Sequence, residues 1–116
     1  MVVLNSKINY SFVTTRRKAA RLRITWKPAK NRSNQKKHGL SFEAAQFVFD
    51  DPLHLTRQDR IEEGEMRWQT IGLVDGVALL LVAHTVADDE AGETYVHIIS
   101  ARRATKLERK RYEQNP

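Results

Sequence analysis

From Leu22 the chain alternates, with Leu22, Ile24 and Trp26 apolar and Arg23 and Thr25 polar, the period of a half-buried strand. Pro28 suits the first turn of a helix and Gly39 a left-handed cap, so a helix is predicted from Pro28 to His38. Between Ala29 and Gly39 no residue is apolar, and hydrophobic burial is therefore not expected to hold this helix. Ser41 then suits an N-cap, with Glu43 in the favourable first turn. Phe42, Ala45, Val48 and Phe49 fall on one helical face, so a second helix is expected to pack by an apolar stripe and to end at Asp50-Asp51-Pro52.

A run of strands follows. Leu53 to Gln58 alternates weakly, Asp59 to Glu65 reads as an acidic loop, and Met66 to Val74 is strand-like. Asp75-Gly76 is a strong hairpin signal, with Val77 to Val86 as the returning strand. Ala87 to Glu93 reads as a polar turn and Thr94 to Ser100 as a last strand. Ala104 to Glu113 is predicted as a charged terminal helix, polar beyond Ala104 apart from Leu107 and Tyr112, and is either weakly held and mobile in the free chain or packed through those two side chains. The fold class is α+β: β-α-α, then three to four antiparallel strands and a C-terminal helix. Residues 1–21 show no clear period and read as a flexible basic extension, leaving 22–116 as one folded domain.

Composition narrows the function. The longest apolar run, Val77 to Ala83, is seven residues, too short for a membrane span. There is no cysteine, which excludes disulfides, thiolate zinc sites and thiol nucleophiles. No metal site and no cofactor are expected, since the four histidines form no ligand pair and the acids cluster away from them. Twenty Lys and Arg against fourteen Asp and Glu give a net charge of +6. Residues 1–42 hold eleven of those cations and no acid, a block that favours a polyanion such as nucleic acid.

Lys30, Asn34, Lys37 and His38 fall within one arc of about 100° on the first helix, placing phosphate ligands beside a titratable imidazole. The alternative is a solvated charged helix. His38 lies at a helix C-terminus, which favours imidazolium. His84 ends an apolar strand and reads equally as a rim histidine or as a participant in chemistry. Arg67, Arg102 and Arg103 offer forks for phosphate oxygens, the alternative for each being a surface salt bridge.

Trp26-Lys27-Pro28-Ala29-Lys30, Asn34, Lys37-His38-Gly39, Phe42, Ala45 and Phe49-Asp50-Asp51-Pro52 resemble the opening signature of the BrnT toxin family. Arg67-Trp68, Ile71-Gly72, His84-Thr85, Ile98-Ile99-Ser100-Ala101-Arg102, Ala104, Glu108 and Tyr112 resemble its second half. The resemblance implies a RelE-like fold and a bacterial, cytoplasmic endoribonuclease toxin that inhibits translation. It further implies neutralisation by a ribbon-helix-helix antitoxin similar to BrnA, with operator DNA bound only through the complex. On this reading His38, Lys37, Arg67, His84 and Arg102 are the catalytic candidates, and Lys30, Asn34 and Arg103 contact RNA. The chain departs from the family pattern at Lys27, where Asp is usual, and at Ala87 and His97, where Arg is frequent. Those departures keep open an alternative: a weakened or inactive module that binds antitoxin or nucleic acid without cleaving.

Overall fold

A computed structural model of the chain describes residues 22–114. Strand β1 (Leu22–Trp26) leads into helix α1 (Pro28–His38), a short helix α2 (Phe42–Ala45) and a 3₁₀ turn (Gln46–Asp50). Strands β2 (Leu55–Glu62), β3 (Glu65–Val74), β4 (Ala78–Asp88) and β5 (Thr94–Arg103) follow, then helix α3 (Lys106–Gln114). The five strands form one sheet in the order β1-β5-β4-β3-β2, and the β2–β3 and β3–β4 pairs are antiparallel. The α+β order expected from the sequence is the one observed. The proposed extension at residues 1–21 lies outside the described residues. Among the described residues no helix is long and apolar enough to cross a membrane.

The described residues fall into two units, the smaller holding 22–23 and Ala87–Tyr95. In that smaller unit the Asp89 carboxylate accepts the Ala91 and Glu93 amides and the Tyr95 hydroxyl, and Glu93 pairs with Arg23. The larger unit, Ile24–Val86 with Val96 onward, contains every candidate functional residue.

Helix α1 has the predicted caps. Gly39 sits at φ 71° and its amide reaches the Gln35 carbonyl, whereas Lys27 gives no side-chain cap at the other end. Two asparagines, Asn31 and Asn34, are the buried residues of α1. The Asn34 amide nitrogen donates to the Ala101 carbonyl at 2.8 Å and the Leu40 carbonyl at 3.0 Å, while its oxygen accepts the Ala101 amide at 3.1 Å. Asn31 accepts the Phe42 amide and donates to Glu43, both at 2.8 Å. A helix without an apolar face is thus docked by side-chain amides that take up buried backbone groups.

Ser41 caps α2 as predicted, and Phe42, Ala45 and Val48 are fully buried. The predicted second helix tightens into 3₁₀ geometry after Ala45. There, residues three apart eclipse, which stacks Val48 behind Ala45. Val48 then lies so close to β3 that a Cβ on Gly72 would come within 2.6 Å of the Val48 carbonyl oxygen.

The expected acidic loop at Asp59 to Glu65 is instead mostly strand. β2 runs to Glu62 and β3 begins at Glu65, with Glu63 and Gly64 turning at φ 52° and 80°. Two positive φ values make the tight turn that matches strand twist, and the charges suit an edge strand. Its ladder to β3, with a bulge between Gln58 and Ile61, carries β2, since all of it beyond Leu55 is exposed.

Register sorts β3 and β4 into two faces. Thr70, Gly72 and their partners Val82 and Leu80 face α2 and the 3₁₀ turn. Ile71, Leu79 and Leu81 face the other way, packed by Leu73, Ala104 and Tyr112. Helix α3 therefore covers this second face, but Leu107 is 61% exposed and plays no part in the packing. Polar contacts replace it: Tyr112 donates to the Asp51 carboxylate at 2.6 Å, and that same oxygen accepts the Leu73 amide. Burial alone would raise the Asp51 carboxyl, but the Tyr112 hydroxyl and the Leu73 and Leu53 amides outweigh it and hold the group below its usual range. The hydrogen bond to Asp51 in turn pushes the Tyr112 phenol up to about 12.

Removing the Asn34 amide leaves both Ala101 backbone groups buried without partners. Asn34→Ala is expected to cost about 3 kcal/mol in urea unfolding, from the desolvation of unpaired groups. An unchanged midpoint would show that α1 is held by something else.

Candidate active site

The eight candidate residues separate by environment. On α1, Lys30 and Lys37 are exposed, His38 is half-buried and Asn34 is buried. The arc predicted to face a ligand is therefore in part the docking face: Asn31, Asn34 and His38 turn inward, and Lys30 and Lys37 stand at its rim. Asn34 has all three of its hydrogen bonds inside the protein. It acts as a fastener, and one turn beyond it, about 6 Å along the axis, it sets the position of His38.

His84 is 1% exposed. Its Nδ1 lies 3.3 Å from the Thr85 carbonyl, which only accepts, so Nδ1 carries the proton. Nε2 then accepts from the Thr70 hydroxyl at 2.7 Å, and Thr70 accepts from Thr56 at 2.7 Å. Phe49 meets the ring edge-on, with centroids 5.1 Å apart. Burial pushes the imidazole down to about 4 despite the Thr85 carbonyl, which favours the charged form. His84 is thus a neutral imidazole that ties β3, β4 and the 3₁₀ turn together.

Arg102 lies on the α3 side of the sheet. Arg102 donates from Nη1 and Nη2 to the two Glu108 oxygens at 2.8 and 2.9 Å, and from Nη1 to the Arg103 carbonyl at 3.2 Å. Arg103 itself is exposed. Arg67 shares the face of Ile71 by strand alternation, four residues or about 13 Å away. Between them stands Gln69, opposite Ala83, with its side-chain oxygen accepting two bonds from Arg57. Arg67, Gln69 and Ala83 are half-buried. Among the described residues the Arg67 Nε is the buried side-chain polar atom with no hydrogen-bond partner, and its Nη1 approaches Glu62 only at 4.0 Å. Arg67 and Arg102 thus share the α3 face of the sheet, and α1 meets β5 at Ala101, the residue before Arg102.

Sequence reasoning named Asp51 and Glu108 as signature positions without a role, and missed the two threonines behind His84. Thr105 and Glu108 form a capping box, with Thr105 Oγ1 accepting the Glu108 amide and Glu108 accepting the Thr105 amide; their spacing was legible as one. Nothing local in the sequence marks Asp51 or Thr70 for their roles.

His84 has a measurable consequence. Its folded-state value lies below that of the unfolded chain, so the unfolded state binds the proton first. Stability is then expected to fall by about 3 kcal/mol as pH drops from about 6.5 to about 4. Unfolding midpoints across that window should slope in the native chain and slope less in His84→Gln, where the carboxylates held low, Glu108 among them, leave a residual slope toward pH 4. Equal slopes in both would assign the dependence to another group.

The family model for the ribonuclease toxin BrnT of type II toxin–antitoxin systems matches residues 26–108, a span that includes all eight candidates. The 1.1 Å crystal structure of the Brucella abortus ribonuclease toxin BrnT is similar to this chain with a TM-score of 0.52 and 23% identity, over 73% of this chain and 99% of that one. That likeness is one of fold. No curated protein sequence matches the chain. With the family's pattern running from the last residue of β1 into α3, the chain belongs to the BrnT family of ribonuclease toxins of type II toxin–antitoxin systems.

Proposed function

We propose that this chain is a metal-independent endoribonuclease that arrests translation and is neutralised by a ribbon-helix-helix antitoxin. The 2′-hydroxyl loses its proton and attacks the adjacent phosphate, the P–O5′ bond breaks, and the products are a 2′,3′-cyclic phosphate end and a 5′-hydroxyl end that takes up a proton. Family membership supports the class of reaction. The structural observation that carries the assignment is the Arg67 guanidinium, whose side chain is 21% exposed and, among the described residues, meets no carboxylate nearer than Glu62 at 4.0 Å. A guanidinium without a close carboxylate can turn its Nη donors to a phosphate oxygen.

In this reading Arg67 and Arg102 hold the scissile phosphate and the charge that grows on it. His38 moves protons, being the half-buried candidate histidine, whereas His84 is sealed and neutral and ties the strands together on the opposite face of the sheet. Lys30, Lys37 and Arg103 follow the RNA backbone, and Asn34 supports α1. A second reading, binding without cleavage, is favoured by the internal use of Asn34 and His84 and by Lys27, Ala87 and His97.

Expression in a host without antitoxin separates the readings. Growth arrest with degraded message supports the nuclease; normal growth with soluble folded protein supports the binding module. Purified protein is expected to cleave RNA in EDTA. Arg67→Ala should lower the rate by roughly 10²–10³-fold and His38→Ala by roughly 10²–10⁴-fold. Cleavage lost on chelation and restored by magnesium would redirect attention to the carboxylates.

A further inference from the structure

Glu108 is the buried residue of α3, a helix otherwise directed to solvent apart from Tyr112. The Thr105 amide needs one carboxylate oxygen to close the capping box, yet both oxygens are used. Oε1 accepts from the Thr105 amide and from Arg102 Nη1, and Oε2 accepts from Arg102 Nη2. The forked bond to Arg102 draws the carboxyl down to about 2 against the effect of burial, with Thr105 assisting. The pair is therefore ionised throughout the physiological range.

The geometry of this fork matters. Glu108 takes the end of the guanidinium, Nη1 and Nη2, and the Arg103 carbonyl takes the other Nη1 hydrogen. Three of the five N–H donors are then fixed by the protein. The remaining two, on Nε and the outer side of Nη2, lie along one edge of the plane and have no partner among the described residues. That edge has the spacing that receives two oxygens of one phosphate. The Arg102 side chain is 35% exposed.

We propose that Glu108 is a positioning residue: it clamps the end of Arg102 so that the Nε–Nη2 edge stands as a preformed receptor for a phosphate group of RNA. This rests on the reading above, in which Arg102 holds phosphate. The Glu108 charge cancels the general attraction of Arg102 for a polyanion, so the contribution lies in directed hydrogen bonds. Loss of Glu108 should therefore lower kcat more than it alters KM.

The test follows the Arg102 Nε–H resonance in the full chain, with inorganic phosphate and a 2′-O-methyl RNA oligonucleotide as probes. In the native chain both probes are expected to shift that signal. In Glu108→Gln, whose amide turns a donor toward Nη2, the signal should broaden and phosphate affinity at Arg102 should fall at least about tenfold, with kcat on RNA reduced about 10–100-fold. Thr105→Ala weakens the helix cap but keeps the Arg102–Glu108 pair, and should do neither. The proposal is overturned if phosphate leaves the Arg102 signal unmoved, if Glu108→Gln binds phosphate as the native chain does, or if Thr105→Ala reproduces the loss. A native chain that cleaves no RNA but shows the Glu108-dependent shift would sink the nuclease reading and leave the positioning role standing.

Discussion

The Asn34 side chain is the joint on which the arrangement of this protein depends. Helix α1 presents no hydrophobic surface, so the usual source of helix docking is missing, and directional hydrogen bonds take its place. One amide joins the C-terminal half of α1 to the turn at Leu40 and to both backbone groups of Ala101, as a neighbouring strand residue would. Such a joint tolerates little rotation, because sliding the helix by one residue would break three bonds at once. It therefore fixes register where an apolar stripe would fix only contact. The last turn of α1, with Lys37 and His38, is held to the strand end from which Arg102 projects.

The rest of the sheet follows a similar economy. Polar groups that look chemically active in isolation hold elements together: His84 with Thr70 and Thr56 on one face, Asp51 with Tyr112 at the margin of the other. Each is satisfied within the protein, which is what burial of such groups requires. The Arg67 Nε and the outer edge of Arg102 contrast with them, because their donors have no acceptor among the described residues. The division between satisfied and unsatisfied polar groups separates scaffold from candidate site better than residue type does.

Much of the local structure was legible in the sequence because its causes are local. Pro28 and Gly39 bound α1, Ser41 caps α2, and Asp75-Gly76 turns the β3–β4 hairpin, each through the preference of one or two residues. The stretch from Asp59 to Glu65 misled because its charges suggest a loop, whereas an edge strand leaves both sides to solvent and tolerates charge freely. Long-range partners were the harder part. Asn34 finds Ala101 across 67 residues, and Asp51 finds Tyr112 across 61; no window of sequence contains either pair. For the same reason neither the Asn34 bonds to Ala101 nor the burial of His84 was legible, since identity and periodicity do not reveal what stands opposite a side chain in the fold.

The Asp51–Tyr112 contact also bears on when the molecule becomes whole. Chains emerge from the ribosome N-terminus first, at roughly 5–20 residues per second, and contacts of wide sequence separation close slowly because the intervening loop must be ordered first. Asp51 and the hairpin it caps are made well before Tyr112, and Arg102 is made before Glu108. A nascent chain thus carries the strands of its sheet while the helix that covers one face and steadies Arg102 is still unmade. For a protein whose family acts against RNA, this order of synthesis places completion of the arginine edge after the strands that carry the arginines are made.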